Sequence, residues 1–306
     1  MGLSSAMLSH VGEMAALATA FCWTVSALCW TAAGRRVGSL AVNIIRLLLA
    51  LPMLMLYGWI VLGEAIPQAS WHAWLWLGTS GMVGFFLCDL FFFKSFLMIG
   101  PRLALLVFSL APPISAFFGW FLLGEQLTKW NWIGMATTLS GILWVVLESP
   151  ERDGRPGGEP GKGVWRGWLY AVLATLAQGL ATVLSKVGIR DVASPFAATE
   201  IRLICGLACF MVLIPLLGRQ GQVVRGFRDR RAMGIMVLGA IMGPFLGVSL
   251  LMVAVTLIPA GLAQTFISLS PVIIIPFSIL MFKERVSLRA VLGAVVAVGG
   301  VCLLFV

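Results

Sequence analysis

Long apolar blocks separated by short polar connections run almost the whole length of this chain. The pattern predicts spans at 11–32, 39–61, 72–94, 101–123, 130–148, 166–188, 195–217, 232–256, 259–281 and 287–306. About 20 apolar residues rising 1.5 Å each cover the roughly 30 Å of a bilayer's hydrocarbon core. The blocks lack the apolar/polar alternation of barrel strands. A helix satisfies its own backbone N–H and C=O groups in lipid, so an all-α integral membrane protein is expected. Two stretches are plainly polar. Residues 149–165, rich in glycine and proline, read as a flexible linker, and 218–231 form the second.

The blocks repeat. Ser109-Leu110-Ala111-Pro112 returns 159 residues later as Ser268-Leu269-Ser270-Pro271. The same offset relates Glu125 to Glu284, Gly134 to Gly293 and Gly141 to Gly300. Ile45-Arg46-Leu47 matches Ile201-Arg202-Leu203 at an offset of 156. The organisation read from this is one five-helix repeat over 11–148, the linker 149–165, and a second five-helix repeat over 166–306. An odd number of crossings turns the second repeat upside down. Ten transmembrane helices as two inverted five-helix repeats point to a secondary transporter, because near-equivalent halves can open in turn to opposite sides of one central site.

Composition agrees: the chain is 60% apolar and 11% charged, with a mean hydropathy of +1.02. Soluble domains are about a quarter charged. The ten spans leave no room for an attached soluble catalytic domain. The net charge of +9 would point to nucleic acid in a soluble protein, but its placement points to a membrane. Arg46 and Arg202 fall inside spans, and only Lys129, Lys186 and Arg190 fall on the side that carries the N-terminus. Every other Lys and Arg lies opposite, in short loops such as 218–231. The positive-inside rule makes that basic side cytoplasmic and both termini external, in a multi-pass protein of the inner or plasma membrane. Met1 to His10 lacks a basic n-region, so a first span is expected there in place of a cleavable leader. All six cysteines fall within predicted spans without ligand spacing, and neither a disulfide framework nor a metal site is expected.

The fourth and ninth predicted spans each carry internal prolines, Pro112 with Pro113 and Pro271 with Pro276. A proline inside a helix lacks an N–H and displaces the carbonyl four residues back. The freed carbonyls need partners, which Ser109, Ser268 and Ser270 are placed to provide. Interrupted helices at matching places in two inverted halves mark a central site, with Pro112 and Pro271 as its candidate hinges.

These residues resemble a known family. The run Gly100-Pro101-Arg102 to Ser109-Leu110-Ala111-Pro112-Pro113, with Gly124-Glu125 and Lys283-Glu284 closing the fourth and ninth spans, is similar to the EamA-type members of the drug/metabolite transporter superfamily. The resemblance covers residues 11–306. It implies helices 1–4 and 6–9 around a central cavity, with helices 5 and 10 peripheral. It also implies transport of amino acids, nucleotide sugars, phosphorylated sugars or other small metabolites, often outward, and often coupled to protons or exchange. One departure is the charge bias: several members look N-inside, and here it points N-outside.

Charges inside a membrane are costly unless paired or hydrated, so each is a functional candidate. Arg46 and Arg202 hold matching places; they either snorkel to an interface or stand one near each mouth of the cavity. Glu200 is about 200° around the helix from Arg202, so the two face different directions. Asp89 is the candidate proton carrier, with Glu200 as the second coupling acid. Trp23, Ser26, Ser109, Gln178, Gln264 and Ser268 join the two arginines as candidate substrate-binding groups. Such a cavity suits a zwitterionic or anionic small molecule, exported by a chain that is a monomer or a dimer, with no cofactor and no nucleic-acid partner. The alternative is a translocator of lipid or polyisoprenoid-linked substrates. An enzyme is less favoured, because the only two histidines, His10 and His72, have no ligand spacing, and the lack of a Walker motif disfavours ATP-driven transport.

Overall fold

A computed structural model describes residues 2–148, 164–270, 272–273 and 288–304. All regular structure among these residues is helical: α1 (Gly2–Val37), α2 (Ser39–Leu62), α3 (Trp71–Gly81), π1 (Met82–Cys88), α4 (Asp89–Phe108), α5 (Ala111–Leu123), α6 (Lys129–Glu148), α7 (Val164–Gly188), a short 3₁₀ turn (Ile189–Asp191), α8 (Pro195–Leu216), α9 (Gln220–Arg228), α10 (Arg230–Ala240), π2 (Ile241–Gly247), α11 (Val248–Leu257), α12 (Ala260–Ile267) and α13 (Leu288–Leu304). Among the described residues, six stretches are long and apolar enough to cross a membrane: His10–Gly34, Leu40–Leu62, Trp71–Ser95, Trp165–Asp191, Pro195–Leu216 and Arg230–Leu257. Ala111–Leu123 and Val291–Leu304 are shorter apolar helices.

Local sequence explains many of the boundaries. Ser70 caps α3 by accepting from the Ala73 N–H, and Ser194 caps α8 ahead of Pro195, whose fixed φ suits a first helical position. Gly63 and Gly124 end α2 and α5 in the left-handed conformation that glycine adopts freely.

Three segments depart from the pattern reading. The expected break at Gly100-Pro101 is absent: α4 stays helical to Phe108, and the chain turns at Ser109-Leu110 instead. Pro112 and Pro113 therefore occupy the first turn of α5, where their missing N–H groups are among those a helix leaves unpaired anyway. Pro112 is not a proline inside a continuous helix. Second, the polar stretch 218–231 contains α9, an amphipathic helix. Third, α7 begins at Val164, inside the linker as read from sequence. Most of that linker, together with Pro271 and Glu284, lies outside the described residues.

The two halves pack through one another. α1 lies against α10, π2, α11 and α12 of the second half, α3 lies between α7 and α8, and α5 packs on α7 and α12. α6 and α13 form a close pair, through the glycines that the repeat equates. A Cβ on Gly141 would come within 2.3 Å of Ala297 N, and one on Gly300 within 2.4 Å of Thr138 N. Small residues let backbones touch where lipid supplies no hydrophobic drive for association.

Candidate functional site

Helices from both halves enclose a cavity of about 200 Å³ lined by Trp23, Ser26, Trp30, Arg46, Gly84, Phe85, Cys88, Asp89, Gln178, Arg202, Gly243, Pro244 and Val248, among others. Arg46 lies seven residues into α2 and Arg202 seven residues into α8, about 10 Å from each helix start. Both arginines line this one cavity although they belong to different repeats of the chain. Arg202 is 5% exposed and the Arg46 side chain 14% exposed, so both are held largely inside the molecule.

The wall is shaped by two π-helical stretches. π1 and π2 begin 159 residues apart, the offset of the repeat, and place Gly84 and Gly243 at matching positions on the cavity wall. A Cβ on Gly84 would lie 3.0 Å from Ala181 Cβ and 3.4 Å from the Arg202 guanidinium. One on Gly243 would lie 3.2 Å from Ser26 Cβ. π turns widen a helix and are frequent at functional sites. Pro244 within π2 lacks the N–H that α-helical pairing needs, which accounts for the second widening. Gly243 and Gly247, a GxxxG pair in the sequence, pack against Ser26, Trp30 and Trp23 of α1.

The arginines differ in their partners. Arg46 is ion-paired to Asp89 and lies beside the Trp30 ring, 5.8 Å from its centroid. Arg202 sits 5.3 Å from the Phe85 ring centroid and donates to Met252 Sδ at 3.5 Å. No carboxylate pairs with Arg202 among the described residues, where the Nε of both arginines lacks a partner. The repeat accounts for the difference. The position matching Asp89 at the 159 offset is Val248, which lines the same cavity.

The other sequence candidates divide. Trp23, Ser26, Gln178 and Asp89 line the cavity with the arginines. Glu200 does not: it is 1% exposed and turned towards α2, where a Cβ on Gly58 would lie 3.6 Å from its Oε2. Its Oε1 has no hydrogen-bond partner among the described residues. Ser109 is buried in the α4–α5 turn, away from the cavity wall. Gln264 is also buried off the wall, with its amide oxygen accepting from Thr182 Oγ1 at 3.4 Å. Ser268 Oγ donates to the Gln264 carbonyl at 2.9 Å, which also accepts the Ser268 N–H at 3.0 Å. Ser270 Oγ lies 2.8 Å from the Ile267 carbonyl, which Pro271 has no N–H to reach. Among the described residues no three His, Cys, Asp or Glu side chains gather as metal ligands.

At the end carrying the N-terminus, a second buried ion pair joins three segment ends. Lys186 Nζ is 2.6 Å from Glu125 Oε1 and donates to the Ile258 carbonyl at 2.6 Å. Glu125 Oε2 accepts the Ala260 N–H at 3.0 Å, capping α12. The ends of α5 and α7 and the α11–α12 connection are thereby tied together.

Two matches to the EamA-like transporter family model cover residues 10–147 and 165–306, one in each half. The chain belongs to this family. A solved structure described only as "Crystal structure of protein" superposes with a TM-score of 0.74 at 18% identity, covering 95% of each chain, and speaks for the fold alone. No curated protein matches in sequence. As an EamA-like transporter, the chain is a multi-pass membrane protein, and its cavity is built from both of the family's repeats.

Proposed function

We propose that this EamA-like chain is a secondary exporter of a small anionic or zwitterionic metabolite, working by alternating access in ten spans arranged as two inverted halves. Arg202 carries the reading. A guanidinium buried in a cavity, with no carboxylate partner, is a costly arrangement that a substrate carboxylate or phosphate relieves. The cavity's roughly 200 Å³ is smaller than the 300–1,000 Å³ of drug-sized sites, which favours a small metabolite over a lipid. Trp23, Ser26 and Gln178 supply the neutral polar and aromatic contacts, and Asp89 is the coupling acid. While Asp89 is ionised it occupies Arg46. Protonation releases Arg46 to the substrate, so proton and substrate movements become linked through one ion pair.

The purified protein in liposomes, screened with a mixture of metabolites read by mass spectrometry, tests this. Uptake concentrated among carboxylates and phosphates is expected, and Asp89→Asn should remove its pH dependence while leaving exchange intact. Uptake only of cations or of neutral lipids overturns the reading. The basic loops support an orientation with both termini outside, and a fluorescent protein fused at Val306 that lights up in the cytoplasm overturns it.

A further inference from the structure

A second cavity lies outside the central one. It measures about 530 Å³ and is lined by Arg36, Gly38, Arg219, Gln222, Arg225 and Asp229, among others. Its floor is the corner between α1 and α2, and its lid is α9. The α9 helix lies directly on that corner: a Cβ on Gly38 would come within 2.4 Å of Gln222 Nε2, and one on Gly226 within 2.7 Å of Ile45 Cδ1. It connects two apolar spans, Pro195–Leu216 and Arg230–Leu257, so it lies at the membrane edge on the basic side.

The charges in this notch are unequal. Asp229 is fully committed: Oδ1 accepts from the Arg231 and Ala232 N–H groups at the start of α10, and Oδ2 accepts from Arg36 Nε at 2.9 Å. The Ala232 N–H and the Arg36 guanidinium hold its carboxyl below the ordinary carboxylate range, so it stays ionised. Arg219 and Arg225 have no carboxylate partner among the described residues; Arg225 Nε donates only to the Gly221 carbonyl at 3.2 Å. On the other side of α9, Val223 packs inward, while Val224 and Phe227 are 50% and 41% exposed. A polar face with two guanidiniums that no described carboxylate neutralises, beside an exposed apolar edge, is the form of a helix lying in the plane of an interface.

We infer that this notch binds the headgroup of an anionic phospholipid, with Arg219 and Arg225 on the phosphate and Val224 and Phe227 against the acyl chains. Charge complementarity selects the anion, and the apolar edge selects a lipid over a soluble phosphate. The inference rests on the membrane placement of the chain and is independent of what the central cavity transports.

Native mass spectrometry of the full chain released from neutral detergent tests it, with phosphatidylglycerol and phosphatidylcholine of identical acyl chains as probes. Phosphatidylglycerol should be retained in preference, and Arg219→Gln with Arg225→Gln should weaken it about 30-fold, the loss expected for two basic residues near an anionic surface. Phe227→Ser should also weaken it. These side chains are exposed, and an unchanged thermal midpoint in each variant confirms folding. Equal retention of the two lipids by the parent chain overturns the proposal. So does unchanged phosphatidylglycerol affinity in the double arginine variant. Displacement by glycerol phosphate at the lipid's own concentration would mark a soluble-phosphate site and also overturn it.

Discussion

Replacing Lys186 with methionine should destabilise the folded protein by about 3 kcal/mol or more, the range for removing one partner of a buried ion pair. The side chains of Lys186 and Glu125 are 15% and 12% exposed, so little water reaches either charge. In Lys186→Met, Glu125 keeps its charge without its cation, and the Ile258 carbonyl loses the ammonium at 2.6 Å. Glu125→Gln leaves the opposite orphan but still offers an amide oxygen to the Ala260 N–H. The double variant carries no charge at this point and keeps that acceptor, so it should recover most of the loss. Thermal midpoints in detergent decide it: each single variant should fall by several degrees and the double should return towards the parent. A single-variant midpoint equal to the parent's would mean that water already screens the pair. The pair ties three segment ends together, so on the proposed alternating-access reading an opening on that side breaks it. The same variants should therefore shift which side of the cavity labelling reagents reach.

The fold was largely legible because lipid imposes a strong constraint on sequence. Apolar blocks of membrane-spanning length admit few structures other than helices, and the repeat offset needed only residue identities. The individual cavity charges were legible too, since Arg46, Asp89 and Arg202 stand out in apolar blocks. Their pairing was not. Asp89 reaches Arg46 across 43 residues on another helix, and nothing local encodes that contact. The same holds for Lys186 and Glu125, each of which looks like an ordinary charge at a helix end. The π turns escaped the pattern because widening follows tertiary contact as well as sequence. Gly84 and Gly243 sit at the repeat's own offset, however, and their equivalence was the available signal. α9 escaped for a different reason: Gly221 and Gly226 lower helix propensity, and the segment is held helical by packing on α2. Ser109, Gln264 and Ser268 stand outside the groups that line the cavity, and no local pattern marks that. Ser268 donates to the Gln264 carbonyl on its own helix, the Gln264 amide oxygen faces the Thr182 hydroxyl of α7, and Ser109 is buried in a turn.

Introducing aspartate at Val248 should abolish transport more completely than any conservative loss at the cavity wall. Val248 holds the place in the second half that Asp89 holds in the first, and both line the cavity with the arginines. An aspartate there gives Arg202 the partner that Arg46 already has, and the substrate's anionic group then competes with a tethered carboxylate. Arg202→Gln removes the recognition instead. A charge-assisted bond to a buried anion is worth about 2–3 kcal/mol, so affinity should fall roughly 30- to 150-fold. The two variants separate recognition from packing. Val248→Asp should lose binding yet keep a parent-like thermal midpoint, because the new carboxylate is paired. The same aspartate in an Arg202→Gln background should be strongly destabilised, because its charge is then buried alone. Val248→Asn, with nearly the same volume and no charge, should retain most of the transport. If the aspartate and asparagine variants transport equally, Arg202 does not meet the substrate. The broken symmetry at Val248 would then have no bearing on recognition.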